Sequence, residues 1–142
     1  DKNPFDLDDL LLPRVIMATM LVNDPDIILV NNIFSKLSDS NKKLLRDLLK
    51  RLQFDFKKLV IIADPDVDLL FEISDVSLIL DDTIIVAGNK FDIFANTDLL
   101  KNYNIDIPHY IEFKNYVKEK KDVDLLYRDR ITDIIKDVYD NV

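Results

Sequence analysis

Two short, unbroken aliphatic runs constrain the fold of this chain more than any other feature: Ile27-Ile28-Leu29-Val30 and Leu59-Val60-Ile61-Ile62. A run of four aliphatics bounded by turn residues fits a strand buried on both faces of a parallel sheet. Parallel strands need a crossover of a dozen or more residues, usually a helix. The intervening segment supplies one. Ser38-Asp39-Ser40 offers helix N-caps, and Leu44, Leu45, Leu48, Leu49 and Leu52 follow at helical spacing among Lys42, Lys43, Arg46, Lys50 and Arg51. Strand, helix, strand is the opening of an α/β fold.

The flanks extend this order. Leu10 to Val22 reads as a helix, with Pro13 tolerated only near its first turn. Asn23-Asp24-Pro25-Asp26 is a turn, and Asp66 to Ile73 suits a short helix. Val76 to Leu80 and Thr83 to Ala87 flank Asp81-Asp82, a β-hairpin with a two-residue turn. Short helices follow from Lys90 and from Asp98. After Pro108 come a helix over roughly Glu112 to Lys120 and another from about Asp129, with Ile131, Ile134, Ile135, Val138 and Tyr139 on one stripe. The expected division is residues 1–98 as an α/β domain and 99–142 as a helical C-terminal module.

Composition narrows the function. The 142 residues are 48% hydrophobic and 32% charged, enough for a core and a solvated surface. The net charge of -8 repels a nucleic-acid backbone and an anionic membrane surface. No apolar run is long enough to span a bilayer, so no direct membrane insertion is expected. With no cysteine, disulfides and thiolate metal sites are excluded, in keeping with a cytoplasmic protein. Glycine occurs once, at Gly88. Phosphate-cradling loops need glycines so that backbone N–H groups can approach the anion, so neither a Walker A nor a Rossmann loop lies in these residues.

The order of these fragments resembles the C-terminal half of an ATP-binding-cassette (ABC) transporter ATPase of the energy-coupling-factor (ECF, cobalt and vitamin uptake) type. Asn3-Pro4-Phe5-Asp6-Leu7 looks like the lead-in to the family's signature loop, and Arg14-Val15-Ile16-Met17-Ala18 like the arginine-led helix after it. Asn23-Asp24-Pro25-Asp26 and the first aliphatic run look like the entry to Walker B and its strand. Val86-Ala87-Gly88 through Phe94 is similar to the glycine-then-"EVF" stretch after the family's hairpin. Asn104-Ile105-Asp106-Ile107-Pro108 is similar to the linker that opens the ECF C-terminal module. The resemblance implies a partial P-loop NTPase fold: a parallel sheet with flanking helices, a β-hairpin and a C-terminal helical module. It also places Asp1 inside the family's helical subdomain. A strand that normally has neighbours from the other half would then be an exposed edge.

Against that pattern, the nucleotide positions depart. The signature Leu-Ser-Gly-Gly-Gln reads Leu7-Asp8-Asp9-Leu10-Leu11. Asp8 and Asp9 would set negative charge against a γ-phosphate, and Leu10 removes a close backbone approach. Walker B should end in Asp-Glu and instead ends in Asn31-Asn32. The family's aspartate helps hold Mg²⁺, which prefers charged oxygens, and its glutamate polarises the attacking water. The switch-histidine position is Pro65, which has no side-chain donor, and the D-loop's Gly-Leu-Asp is Lys36-Leu37-Ser38. The expectation is a degenerate site with no catalytic residue, no metal, and no cofactor unless an upstream half supplies a P-loop for ATP and Mg²⁺.

Blander readings stand beside these. Asn31 and Asn32 are also ordinary polar ends of a parallel strand. Asp64-Pro65-Asp66-Val67-Asp68 starts like a calcium loop but has Leu69 where the sharp turn needs glycine. His109, the only histidine, reads as a loop residue. Three function classes follow. The first is a degenerate ATPase subunit acting as a structural partner of a competent ABC ATPase or of a membrane coupling protein, peripheral on the cytoplasmic face. The second is a cassette-derived dimerisation module, a homodimer unconnected with transport. The third is an enzyme of another class built on convergent carboxylates such as Asp64, Asp66 and Asp81.

Overall fold

The computed structural model describes residues 11–128 and 131–141. The chain forms two compact units, Asp1–Asp66 and Val67–Val142. The first holds α1 (Leu12–Leu21), β1 (Ile27–Asn31), a 3₁₀ turn (Phe34–Lys36), α2 (Asp39–Phe54) and β2 (Leu59–Ala63). The two aliphatic runs pair as neighbouring parallel strands in register, Ile27 opposite Leu59 through to Asn31 opposite Ala63. The helix between them closes the expected crossover.

Burial in this sheet is one-sided. Side chains alternate across a strand. Ile28 and Val30 are buried on one face, beside half-buried Val60 and Ile62. Helix α2 packs against β2 and buries Leu45, Leu49 and Leu52. On the other face Ile27, Leu29, Leu59 and Ile61 are 56%, 67%, 54% and 44% exposed. The expectation of strands buried on both sides is therefore corrected: a continuous run shows that both faces are apolar, not that both are covered. Among the described residues each strand has one partner, so both are edges. Within the leucine ladder, Leu44 is exposed rather than in the core. Ser38 sits at the N-cap of α2 in extended conformation but makes no side-chain cap bond. Its hydroxyl instead accepts from the Asn41 amide at 3.1 Å.

The second unit holds α3 (Val67–Ile73), β3 (Val76–Asp81), β4 (Thr83–Asn89), α4 (Lys90–Ala95), α5 (Thr97–Asn102), α6 (His109–Lys121) and α7 (Ile131–Asn141). The hairpin turn is tighter than expected. Asp81 pairs with Thr83, leaving Asp82 alone at the tip with φ of 49°, and the register shifts at Ile79/Leu80. An extra residue on one strand bends the ladder and lets one left-handed residue close it. Asparagine side chains start the next helices: Asn89 accepts from Phe91 N–H at 2.9 Å and Asn96 from Leu99 N–H at 3.1 Å. One apolar core runs through Phe71, Ile79, Ile93, Phe94, Leu100 and Ile111. Phe71 meets Phe91, Phe94 and Tyr127 edge-on and stacks on Tyr110, and Lys90 Nζ lies 5.3–5.5 Å from the Phe71, Phe91 and Tyr127 rings.

Helix α6 begins three residues before the expected start, and His109 is its first residue rather than a loop residue. The Asp68 carboxylate takes the His109 backbone N–H at 2.7 Å and also meets its ring Nδ1. A carboxylate beside the first turn is favoured by the helix dipole. That contact joins residues far apart in sequence, so local pattern did not indicate it. On α7, Ile134 and Val138 are half-buried while Ile135 and Tyr139 are exposed.

Two outcomes follow. Phe34 is fully buried, so Phe34→Ala should cost about 3–5 kcal/mol in urea unfolding followed by circular dichroism. Burial, with help from neighbouring Tyr127, pushes the Tyr110 phenol up to about 12. Between pH 10 and that value the folded chain keeps a proton that the unfolded chain has released, so stability falls as pH rises through this window. Urea midpoints at pH 9 and 11.5 should fall further for the unaltered protein than for Tyr110→Phe.

Candidate functional site

In a parallel α/β sheet, ligands bind outside the carboxyl ends of the strands. Here those ends bring together Asn31, Asn32, Ala63, Asp64 and Pro65, all in the first unit. Asn31 lies opposite Ala63 in the last rung, and Asn32 N–H then donates to the Ala63 carbonyl at 2.8 Å. That bond extends the pairing one residue past the strand and holds Asn32 at φ of 48°. Asparagine adopts this left-handed region more readily than most residues because its short amide can bond locally. The Asn32 carboxamide oxygen accepts the Ser35 hydroxyl at 2.8 Å. The chain then turns through Phe34–Lys36 into α2.

Asp64 ties the two strand ends to one another. One oxygen accepts from Phe34 N–H at 3.3 Å, across thirty positions of sequence, and the other from Asp66 N–H at 3.1 Å. Asp66 in turn meets Lys42 at 3.6 Å. The second of the Asp64 bonds is an Asx turn, for which Asp-Pro-Asp after a strand is a legible signal. The first has no local signal, because it exists only once the strands are side by side. Behind this edge, Asn41 is the buried polar residue of α2. It accepts from Arg14 of α1 at 3.4 Å and donates to Ser38.

The structure thus brings Asn31, Asn32 and Pro65 to one sheet edge, as their sequence positions imply. Asp8, Asp9 and Leu10 lie outside the described residues. Among the described residues no group of three or more His, Cys, Asp or Glu could hold a metal ion. Of the carboxylates named for the third function class, Asp64 and Asp66 belong to the first unit and Asp81 to the hairpin of the second. No helix among the described residues is long and apolar enough to cross a membrane. Gly88 sits in β4, and a Cβ there would meet the Ile93 side chain at an ordinary 3.6 Å, so this glycine serves no phosphate loop. Chemically, the strand ends offer two carboxamides, a proline, and one carboxylate whose two oxygens each accept a backbone N–H.

No protein-family profile matches the chain. The energy-coupling factor transporter ATP-binding protein EcfA2 of Streptococcus thermophilus is 27% identical over 120 residues, 84% of this chain and 43% of that protein. EcfA2 of Leuconostoc mesenteroides is 30% identical over 123 residues, 84% of this chain and 42% of that protein. The glycine betaine/carnitine transport ATP-binding protein GbuA of Listeria monocytogenes is 34% identical over 97 residues, 68% of this chain and 24% of that protein. Among solved structures, cbiO1 from Clostridium perfringens, part of the ABC transporter complex cbiONQ, superposes with a TM-score of 0.59. It is 22% identical, and the match covers 81% of this chain and 46% of that one.

The fold is therefore that of an ABC-type ATPase. The chain's homologues are ECF transporter ATP-binding subunits, and the portion it resembles fits their C-terminal half. It spans less than half the length of the curated relatives it matches.

If Asp64 staples the strand ends, Asp64→Ala should lower stability by roughly 1–3 kcal/mol, since two N–H groups lose a charged acceptor. Asp64→Asn, which keeps one acceptor oxygen, should lose about half as much. Amide exchange at Phe34 should accelerate in both variants, and unchanged protection there would contradict the role.

Proposed function

We propose that this chain is part of an ABC-type ATP-binding subunit of an ECF transporter, and that its own nucleotide positions do not support hydrolysis. Its contribution is structural: it holds the cassette framework for a competent ATPase subunit or a membrane coupling protein, at the cytoplasmic face of the membrane. Residues 99–142 serve in this reading as the C-terminal helical module. The observation that carries it is the sheet edge where Asn31, Asn32 and Pro65 stand in for the family's acidic pair and switch histidine.

Chemistry supports the proposal at each position. Mg²⁺ prefers charged oxygens and near-octahedral geometry, and Asn31 offers a neutral amide. A carboxamide has no basic lone pair for a water proton, and loss of a general base costs roughly 10²–10⁴ in rate. The Asn32 amide oxygen is moreover engaged by Ser35. Pro65 has no side-chain donor for a developing phosphate charge. The residues at this edge therefore do not fit a Mg-triphosphate, and no catalytic step is assigned to them.

Purified in its native assembly, the protein is expected to show no ATP turnover attributable to this edge. Because three positions at these strand ends depart from the family pattern, the double variant Asn31→Asp, Asn32→Glu should add no turnover while Pro65 remains. Phosphate release measured with excess Mg-ATP checks both. Turnover by the unaltered protein that vanishes on Asn32→Ala would refute the proposal. Co-purification with a competent ATPase or a membrane coupling protein supports the transporter role, and isolation as a homodimer alone favours a module unconnected with transport.

A further inference from the structure

Helix α2 carries a charge imbalance that the proposed function does not use. Residues 42–58 hold seven Lys or Arg against two Asp, while the rest of the chain holds twelve against twenty-five acidic residues. An acidic chain of net charge -8 thus contains one strongly basic helix. Two of its cations face their own unit. Lys42 meets Asp66, and Lys58 Nζ lies 2.7 Å from Asp24 and 3.8 Å from Asp26. Lys43, Lys50, Arg51 and Lys57 are exposed. The same surface is apolar at its ends: Leu44 is 53% exposed, and Phe54 and Phe56 are each 60% exposed. Leu44, Asp47, Arg51 and Phe54 recur at alternating helical steps of three and four, a stripe about 15 Å long turned away from buried Leu45, Leu49 and Leu52. Because α2 runs back along the sheet between β1 and β2, the phenylalanines lie at the opposite end from Asn31, Asn32 and Pro65.

We infer that this stripe, with Phe56, docks an acidic amphipathic helix of a partner protein. Phe54 and Phe56 fill the partner's apolar face, and Lys43, Lys50, Arg51 and Lys57 meet its carboxylates. Aromatic and Arg side chains are the residues in which binding energy concentrates, and opposed charges around them fix register and partner choice. Alternating steps of three and four are the spacing on which a second helix packs. Other occupants are disfavoured by charge. The α2 of a second copy would set cation against cation. An anionic membrane or a nucleic acid would meet Asp47 in the middle of the stripe and the acidic remainder of the chain around it. The stripe stands apart from the strand ends, so ATP turnover there would overturn the proposed function and leave this docking untouched.

Photo-cross-linking in the native cells tests the docking, with p-benzoylphenylalanine replacing Phe54 or, separately, Phe56. Peptide mass spectrometry then identifies what lies against each ring. The expected product joins either position to an acidic amphipathic segment of a different protein. Its yield should fall at least about tenfold in the triple variant Lys43→Glu, Lys50→Glu, Lys57→Glu, because the charges around the contact are then alike. A fall is also expected in extracts raised to about 1 M salt, which screens exposed charge pairs. All the replaced side chains are exposed, and circular dichroism checks that each variant is folded. Should the charge variant fail to accumulate, the salt series on the unaltered charges decides. Cross-links only to another part of the same protein, to a second copy, to lipid or to nucleic acid would overturn the inference. So would a yield unmoved by charge reversal and salt, or no product at both positions.

Discussion

The pairing of β1 with β2 is the interaction on which the first unit depends. It brings Asn31 level with Ala63, extends through the Asn32 N–H to the Ala63 carbonyl, and so sets the two loops that follow within reach of Asp64. Without that register the strand ends would be unrelated polar turns. The same pairing leaves a bare aliphatic face. Covering four half-exposed Ile and Leu side chains would gain roughly 1 kcal/mol each, a large amount beside the stability of a small unit. The sheet is thus both the organiser of the candidate site and the bearer of an exposed aliphatic face.

At the strand ends, conformation and chemistry bear on the same residues. Asn32 suits a left-handed residue at φ of 48° and gives its side-chain oxygen to Ser35. Asp64 gives both oxygens to the backbone. These are the bonds of a loop pair stapled in place, with side chains turned to holding structure. An edge organised in this way can keep a cassette framework together without taking part in phosphate chemistry, which is the sense of the function proposed for it.

The second unit is held differently. Edge-on aromatic contacts around Phe71 flank its largely aliphatic core, with the Lys90 ammonium over three rings and α6 started by Asp68. Burial keeps the Tyr110 phenol protonated well into alkaline pH, and its hydroxyl donates to the Leu125 carbonyl at 3.4 Å. This packing brings α3, the start of α4, α6 and the segment before α7 into contact.

Sequence alone determined what local pattern can carry. The two aliphatic runs declared strands, the leucine ladder declared the helix between them, and the single glycine removed any phosphate loop. The collinear fragments pointed to the ECF type of cassette ATPase, whose subunits proved to be the chain's homologues. Those signals are periodicities and residue types within a few positions of one another. Tertiary structure decided the rest: which face of the strands is covered, the one-residue hairpin tip at Asp82, the reach of Asp64 to Phe34, and the meeting of Asp68 with His109. Each of these depends on groups brought together only by folding, or on a surface whose covering is not written in the strand that bears it. An apolar side chain records a preference for burial, and only the packed chain shows whether that preference has been met.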